Sequence, residues 1–404
     1  MRYIKRFEPT NIKPQFLPND VIEFNLPNNI VDLSSLKIYY KGDAEPVLVY
    51  TDGTMWNRFL PRLSQSIIQE LSISVDNTPI QSIKEFNYLF NILHDGSNKD
   101  DGVYSDKYDT VMTSYIDDDN NVKAMENMTP SLQTTYKYVI DKFIGFLNDV
   151  KYLDCRQRNV KISIKLAPKW ITYRGLEDTS GTLVVDTNIV KDVDIGYSIS
   201  DVSANIDIIP PDEYVQTQKS IEYEDFKHIK GNNEKNKNVY LSLQHKGKIN
   251  YLLSTFTDAE RYTDTGLQLN GANDNVNKYG DFSLVPSAFT KSFEVEYNLN
   301  NSLYFKRNGL NVDTCQYRCN GQDVTPMMNM FEMFHQARSF FGGKMERVNS
   351  LVSFQNDFFC FPMKIGKVDE DMINKIEFLS KSGSKQPNGG EAIMFLSYNK
   401  SFNF

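Results

Sequence analysis

Cysteine is scarce. The 404-residue chain holds four, Cys155, Cys315, Cys319 and Cys360, with no C-x-x-C pair, which is too few and too scattered for a disulfide framework. Such usage fits a reducing compartment. Cys315 and Cys319 stand four apart, which on a strand puts both on one face. With only four histidines in the chain, a zinc site there has no obvious further ligands.

Long apolar runs are missing too. The opening MRYIKRFEPTNIKPQF is basic but lacks the apolar core of a secretory leader, and no stretch approaches the roughly 20 apolar residues of a membrane-spanning helix. The expectation is a protein made and assembled in a cytosol or nucleus. An excess of positive charge is also absent: 44 Lys and Arg against 52 Asp and Glu leave a formal net charge of −8. That balance excludes a main role in coating nucleic acid, which needs clustered cations. Arg2, Lys5 and Arg6 form one local basic cluster at the N-terminus.

Catalytic signatures are lacking as well. No G-x-S-x-G, H-E-x-x-H, G-x-x-x-x-G-K-[ST] or G-x-G-x-x-G occurs. His94, His228, His245 and His335 stand in no such motif and are expected at the surface or at helix caps. Asp117-Asp118-Asp119 reads as a solvated run. NDNVNK at 273–278 comes nearest to a calcium loop but has Lys278 where glycine is required. Asn127, Asn300 and Asn399 begin glycosylation triplets that carry no weight without a secretory signal. The chain is expected to have no catalytic residue, metal ligand or cofactor, and to be no enzyme.

What is present is β-structure. Phenylalanine and tyrosine are abundant, 26 and 23 residues, and period-two alternation recurs, as strands with one packed face and one wet face require. It runs through Ile22, Phe24 and Leu26, through Leu36, Ile38 and Tyr40, and through Val160, Ile162, Ile164 and Leu166. It returns at Val193, Ile195, Tyr197 and Ile199 and at Phe293, Val295, Tyr297 and Leu299. Long polar connections between these runs suit sandwiches better than a meander. The length favours two domains, and the Pro210-Pro211 break within IIPPDEYVQTQKS divides the chain into 1–215 and 216–404.

The two parts share a plan. LSISVDNTPIQSIKEFNYLF at 71–90 and CQYRCNGQDVTPMMNMFEMF at 315–334 both read as strand, polar turn and amphipathic helix, at a constant offset of 244. Ile83, Phe86, Leu89 and Phe90 thereby correspond to Met327, Met330, Met333 and Phe334, residues spaced to line one helical face. Ser82 to Glu85 fits a capping box, and Thr325-Pro326 puts a cap residue before proline at the first helical position. Gly96 and Gly342-Gly343 can end the helices. Two similar β units in tandem follow.

The segment YVIDKFIGFLNDVKYLDCRQRNVKISIKLAP at 138–168, with its Phe143-Ile144-Gly145-Phe146 core, resembles the double jelly-roll major capsid proteins of tailless icosahedral DNA viruses of the Polinton-like, adintovirus-like and virophage-like group. The segments at 62–93 and 301–327 resemble the same family. The resemblance implies an all-β chain of two tandem eight-stranded antiparallel jelly-roll sandwiches with short interspersed helices. It implies a homotrimer whose six rolls form a pseudo-hexagonal capsomer in the shell of a virion. It also implies neighbouring capsomers and penton or minor capsid proteins as partners, with an internal membrane or the genome met through the N-terminal arm by Arg2, Lys5 and Arg6. A minor capsid or spike protein, and a tandem β-sandwich carbohydrate-active enzyme or lectin, share this architecture and remain alternatives.

Overall fold

The structure, a computed structural model, describes residues 2–44, 48–50, 53–58, 64–97, 114–116, 122–124, 135–168, 173–178, 197–213, 220–234 and 237–257, and then 307–309, 312–343, 345, 348, 350–356, 358–365, 370–382 and 390–403. The first half contains β1 (Tyr3–Phe7), β2 (Val21–Asn25), β3 (Ile30–Ala44), β4 (Leu48–Tyr50), β5 (Gly53–Arg58), β6 (Ile68–Val75), β7 (Thr78–Lys84) and helix α1 (Phe86–Ser97). It continues through β8 (Ser114–Ile116), β9 (Val122–Ala124), β10 (Thr135–Ile140), α2 (Phe146–Asp149), β11 (Tyr152–Asp154), β12 (Val160–Leu166), β13 (Tyr173–Asp178) and β14 (Tyr197–Ile209). The second half contains β15 (Ser220–Asn233), β16 (Val239–Lys246), β17 (Ile249–Phe256), β18 (Val312–Cys319), β19 (Gln322–Asp323), β20 (Met328–Asn329), α3 (Met330–Phe340), α4 (Leu351–Asn356), β21 (Phe361–Lys364), β22 (Ile373–Ser382) and β23 (Gly390–Asn403).

Strand order makes each half a jelly roll. One sheet of the first half runs β1-β14-β3-β10 and the other β2-β12-β6-β7; the second half repeats both as β15-β23-β17-β21 and β16-β22-β18-β19. First strand pairs with last in both halves, and every one of these pairings is antiparallel. Two such sheets, facing each other, bury one face each. The alternating residues supply those faces: Ile22, Phe24, Leu36, Ile38, Tyr40, Val160, Ile162, Ile164 and Leu166 are all buried. In β14 the alternation breaks at a bulge between Ser200 and Ser203, where Asp201 has φ 48°. Ala204, Ile206 and Ile208 then carry the buried face onward. Val193, Ile195 and the alternation at 293–299 lie outside the described residues.

The internal repeat holds at the level of single residues. Asp76 and Asn77 turn β6 into β7 with φ 49° and 65°, and at the offset of 244 Asn320 and Gly321 turn β18 into β19 with φ 53° and 79°. Both positions of each turn need positive φ, which Asn, Asp and Gly tolerate best. The helices begin in step as well, α1 at Phe86 and α3 at Met330.

These starts correct the expected caps. Ile83 sits on β7 and not on the helix, because Ser82 Oγ donates to Glu70 Oε1 across the β6–β7 hairpin at 2.7 Å. Met327 precedes β20 and is 42% exposed. Thr325 Oγ1 accepts from Tyr317 N at 2.9 Å, so it serves the hairpin, and Asn329 caps α3 in a reciprocal box with Glu332. The C-terminal end of α3 agrees with expectation: Gly342 and Gly343 have φ 67° and 78°, and Gly343 N donates to Arg338 O.

Candidate functional site

The two rolls meet along a built joint. One contiguous cluster of buried apolar side chains runs through both, and β15 of the second roll packs on β7 and α2 of the first. Gln81, buried on β7, is its polar hinge pin. Its Oε1 accepts from Phe146 N at 2.9 Å, while its Nε2 donates to Glu224 O at 2.9 Å and Asp225 Oδ1 at 3.1 Å. A buried amide with both ends satisfied fixes register as well as energy.

Gly145 makes room for that amide. It precedes α2 with φ 72°, and a Cβ there would stand 2.5 Å from Gln81 Nε2, so the F-G-F run needs its glycine for both conformation and space. Gly145→Ala is expected to cost about 1–3 kcal/mol, read as a lowered urea midpoint. An unchanged midpoint would show that the joint can shift to accept it.

Around the hinge pin, Tyr223 Oη donates to Ile80 O at 2.7 Å, and its ring meets Phe146 edge-on at 5.1 Å. Burial, with the Asp225 charge beside it, pushes the Tyr223 phenol well above its ordinary value, so it stays a donor at any physiological pH. Glu224 N donates to Asp149 Oδ2 at 2.8 Å, and Lys230 pairs with Glu85. At the far end of α1, Arg307 Nη2 reaches Asp95 Oδ2 at 2.5 Å with both side chains almost fully buried. The ring of Phe341 fills the space beside Gly96.

Phe86, Leu89 and Phe90 are buried in α1, whose residues Phe86 to Gly96 are buried all round. In α3 only Met333, Phe334 and Ala337 are buried, and Met330 is partly so. Arg2 Nε donates to Glu213 Oε2 at 2.8 Å in an exposed pair, and β1 is hydrogen-bonded to β14 along its length. Lys5 is half-buried and Arg6 exposed.

Two of the four histidines depart from expectation. His94 lies buried beside Asp95, with Nδ1 3.7 Å from Oδ1, and His245 is buried against Tyr398. Desolvation lowers the His245 pKa. His228 is half-buried and His335 exposed.

The thiols of Cys155 and Cys360 are pushed up to about 12 by burial, and that of Cys315 higher still, which disfavours the thiolate a metal would need. Among the described residues, no cluster of three or more His, Cys, Asp or Glu side chains could hold a metal. Asp117 to Asp119, NDNVNK, Asn127 and Asn300 lie outside the described residues; Asn399 lies on β23.

No family model matches the sequence, and no curated protein matches it. Among solved structures the chain is similar to one of the PBCV-1 virus capsid, at 11% identity over 99% of this chain and 94% of that one, with a TM-score of 0.56. It is similar to one of the Sputnik virophage, at 12% identity over 99% and 85%, TM-score 0.51. It is also similar to the Faustovirus major capsid protein, at 8% identity over 100% and 90%, TM-score 0.50. The fold is the double jelly roll of viral capsid proteins. Within a double jelly roll the joint described above holds two rolls edge to edge, and the residues that build it are spread over both halves. Nothing marks Gln81, Asp95 or Arg307 in the sequence, since the partners of Gln81 and of Asp95 stand 65 to 212 residues away.

Proposed function

We propose that this chain is a viral major capsid protein with a structural and non-enzymatic role. Three copies associate as a homotrimer whose six rolls form a pseudo-hexagonal capsomer, and capsomers tile the icosahedral shell of a virion. The observation that carries this reading is the repeat itself: two rolls of identical strand order, locked by an apolar and polar joint, make one chain two similar wedges. Three such chains make six. The similarity to the PBCV-1 capsid and the Faustovirus major capsid protein supports it.

On this reading the units are 1–215 and 216–404, the first carrying the N-terminal strand. Arg2, Lys5 and Arg6 turn the basic N-terminal arm toward the shell interior, where an internal membrane or the genome lies, and penton or minor capsid proteins complete the vertices. Assembly takes place in host cytoplasm or nucleus.

Native mass spectrometry or light scattering of the purified protein tests the reading. A stable species near three times 46.6 kDa is expected. A monomer at micromolar concentration that binds glycans instead would replace the capsid reading with that of a tandem-sandwich lectin or carbohydrate-active enzyme.

A further inference from the structure

His245 on β16 is 4% exposed, and neither Nδ1 nor Nε2 of its ring has a hydrogen-bond partner. A buried polar group left unpaired carries a desolvation cost that a more open state of the molecule relieves. The charges around this ring are mostly positive. Lys246 precedes and Lys248 follows Gly247, whose φ of 106° turns β16 toward β17, and a Cβ on that glycine would stand 3.7 Å from His245 Nε2. From β15, Lys227 Nζ donates to Gln244 O at 3.4 Å and lies 5.5 Å from the centroid of the Tyr398 ring, the same ring that His245 meets at 4.6 Å. On β22 the residue opposite is the neutral, buried Asn374, and Lys375 beside it is paired with Glu377. β17 carries no charged residue.

Tyr398 connects this ring to the joint between the rolls. Its Oη donates to Asp225 Oδ2 at 2.8 Å, and Oδ1 of the same carboxylate accepts from Gln81 Nε2 at 3.1 Å. Lys400, two residues along β23, lies 3.5 Å from Asp225 Oδ2 and donates to Ile80 O of the first roll. We infer that His245 is an acid-sensitive latch: a proton taken up by its ring opens the β16–β17 turn and loosens the joint between the two rolls. The imidazolium is a cation placed in a closed space beside Lys227, and it reaches water by swinging out at Gly247. Tyr398 then loses the ring packed against it, and the hydrogen bond that sets the Asp225 carboxylate on Gln81 loosens with it.

The direction of the effect follows from the surroundings. Burial first, and the Lys227 charge second, lower the affinity of the folded ring for a proton; the Lys248 main-chain carbonyl favours the proton without meeting hydrogen-bond geometry with either nitrogen. An opened ring takes its proton at the ordinary value of about 6.5. The closed form is therefore fully favoured above that value and loses ground as the pH falls below it, by up to about tenfold per pH unit. His228 on β15 is the rival sensor. It is half-buried, burial lowers its proton affinity too, and Glu85 and Glu70 of the first roll offset Lys230 and Lys84 around it, so a proton there meets charges of both signs.

Amide exchange of the full-length protein near neutral pH and about one unit below the ordinary imidazole value tests the latch, with rates corrected for the intrinsic pH dependence of exchange and native mass recorded at each pH. The wild type is expected to lose about five- to tenfold of its protection in β15, β16 and α2 in acid, while the β14–β3 ladder keeps its own. His245→Phe keeps a ring against Tyr398 and takes no proton, and its protection is expected to change less than about twofold. His245→Gln serves as the second variant should the phenylalanine fail to fold, and His228→Gln is expected to respond to acid as the wild type does. An equal acid loss in the wild type and the His245 variants overturns the latch. So does a wild type whose joint is indifferent to acid, or a response that disappears in His228→Gln. An assembly that dissociates in acid while the joint keeps its protection overturns the latch and leaves the trimer reading standing.

Discussion

Arg307→Met is expected to destabilise the protein by about 3–5 kcal/mol, measured as the loss of unfolding free energy in urea. The side chain is 1% exposed, and its Nε and Nη1 have no hydrogen-bond partner among the described residues. What holds the guanidinium in place is Asp95 at 2.5 Å and the ring of Phe358, whose centroid lies 5.6 Å away. Removing the cation takes from the buried Asp95 carboxylate the guanidinium it pairs with, and that loss is the dominant cost. The double variant Asp95→Leu, Arg307→Met removes both charges and is expected to recover most of the loss, because a buried pair contributes little net stability once its desolvation is counted. If the double variant is no better than the single one, the pair is not the source of the effect. The pair joins α1 of the first roll to the second roll, so a partial effect should show first as loosening of the joint: faster amide exchange in α1 and β15 than in the β14–β3 ladder.

Such a pair could not have been read from sequence. Arginine and aspartate 212 positions apart carry no periodicity, and burial of both is decided by where two domains dock. What was legible was local: alternation gave the strands, and the offset of 244 located both turns and both helices. The caps were misplaced for a physical reason. Ser82 and Thr325 are good cap residues on composition, but each is committed to a hairpin, Ser82 to Glu70 and Thr325 to Tyr317. A cross-strand partner outcompeted the helix end. Asn329 with Glu332 three residues on satisfies the same capping rule, so a signal for the true start of α3 was present. The burial of His94 has no signal of its own in the sequence, since it is set by the packing around the Asp95–Arg307 pair.

Phe86→Asp is expected to abolish soluble, folded protein, and Phe334→Asp to do so less completely, although the two residues correspond through the repeat. Phe86 is fully buried at the start of a helix covered on every side, stacked on Phe90 at a centroid distance of 5.9 Å. A carboxylate there would be buried within the apolar cluster, where its desolvation is costly. Phe334 is 7% exposed on a helix with one open face, against Phe354 at 5.2 Å, and the Arg338 guanidinium lies 5.7 Å from its ring. An aspartate at 334 can therefore turn outward and pair with Arg338, which lowers the cost of the substitution by roughly the worth of an exposed ion pair, up to about 1 kcal/mol. Soluble yield and native mass of the two variants decide between the cases. Trimers at wild-type yield from both would remove the helices from the core. An equal collapse of both would mean that an aspartate at 334 cannot reach Arg338 from the open face of α3.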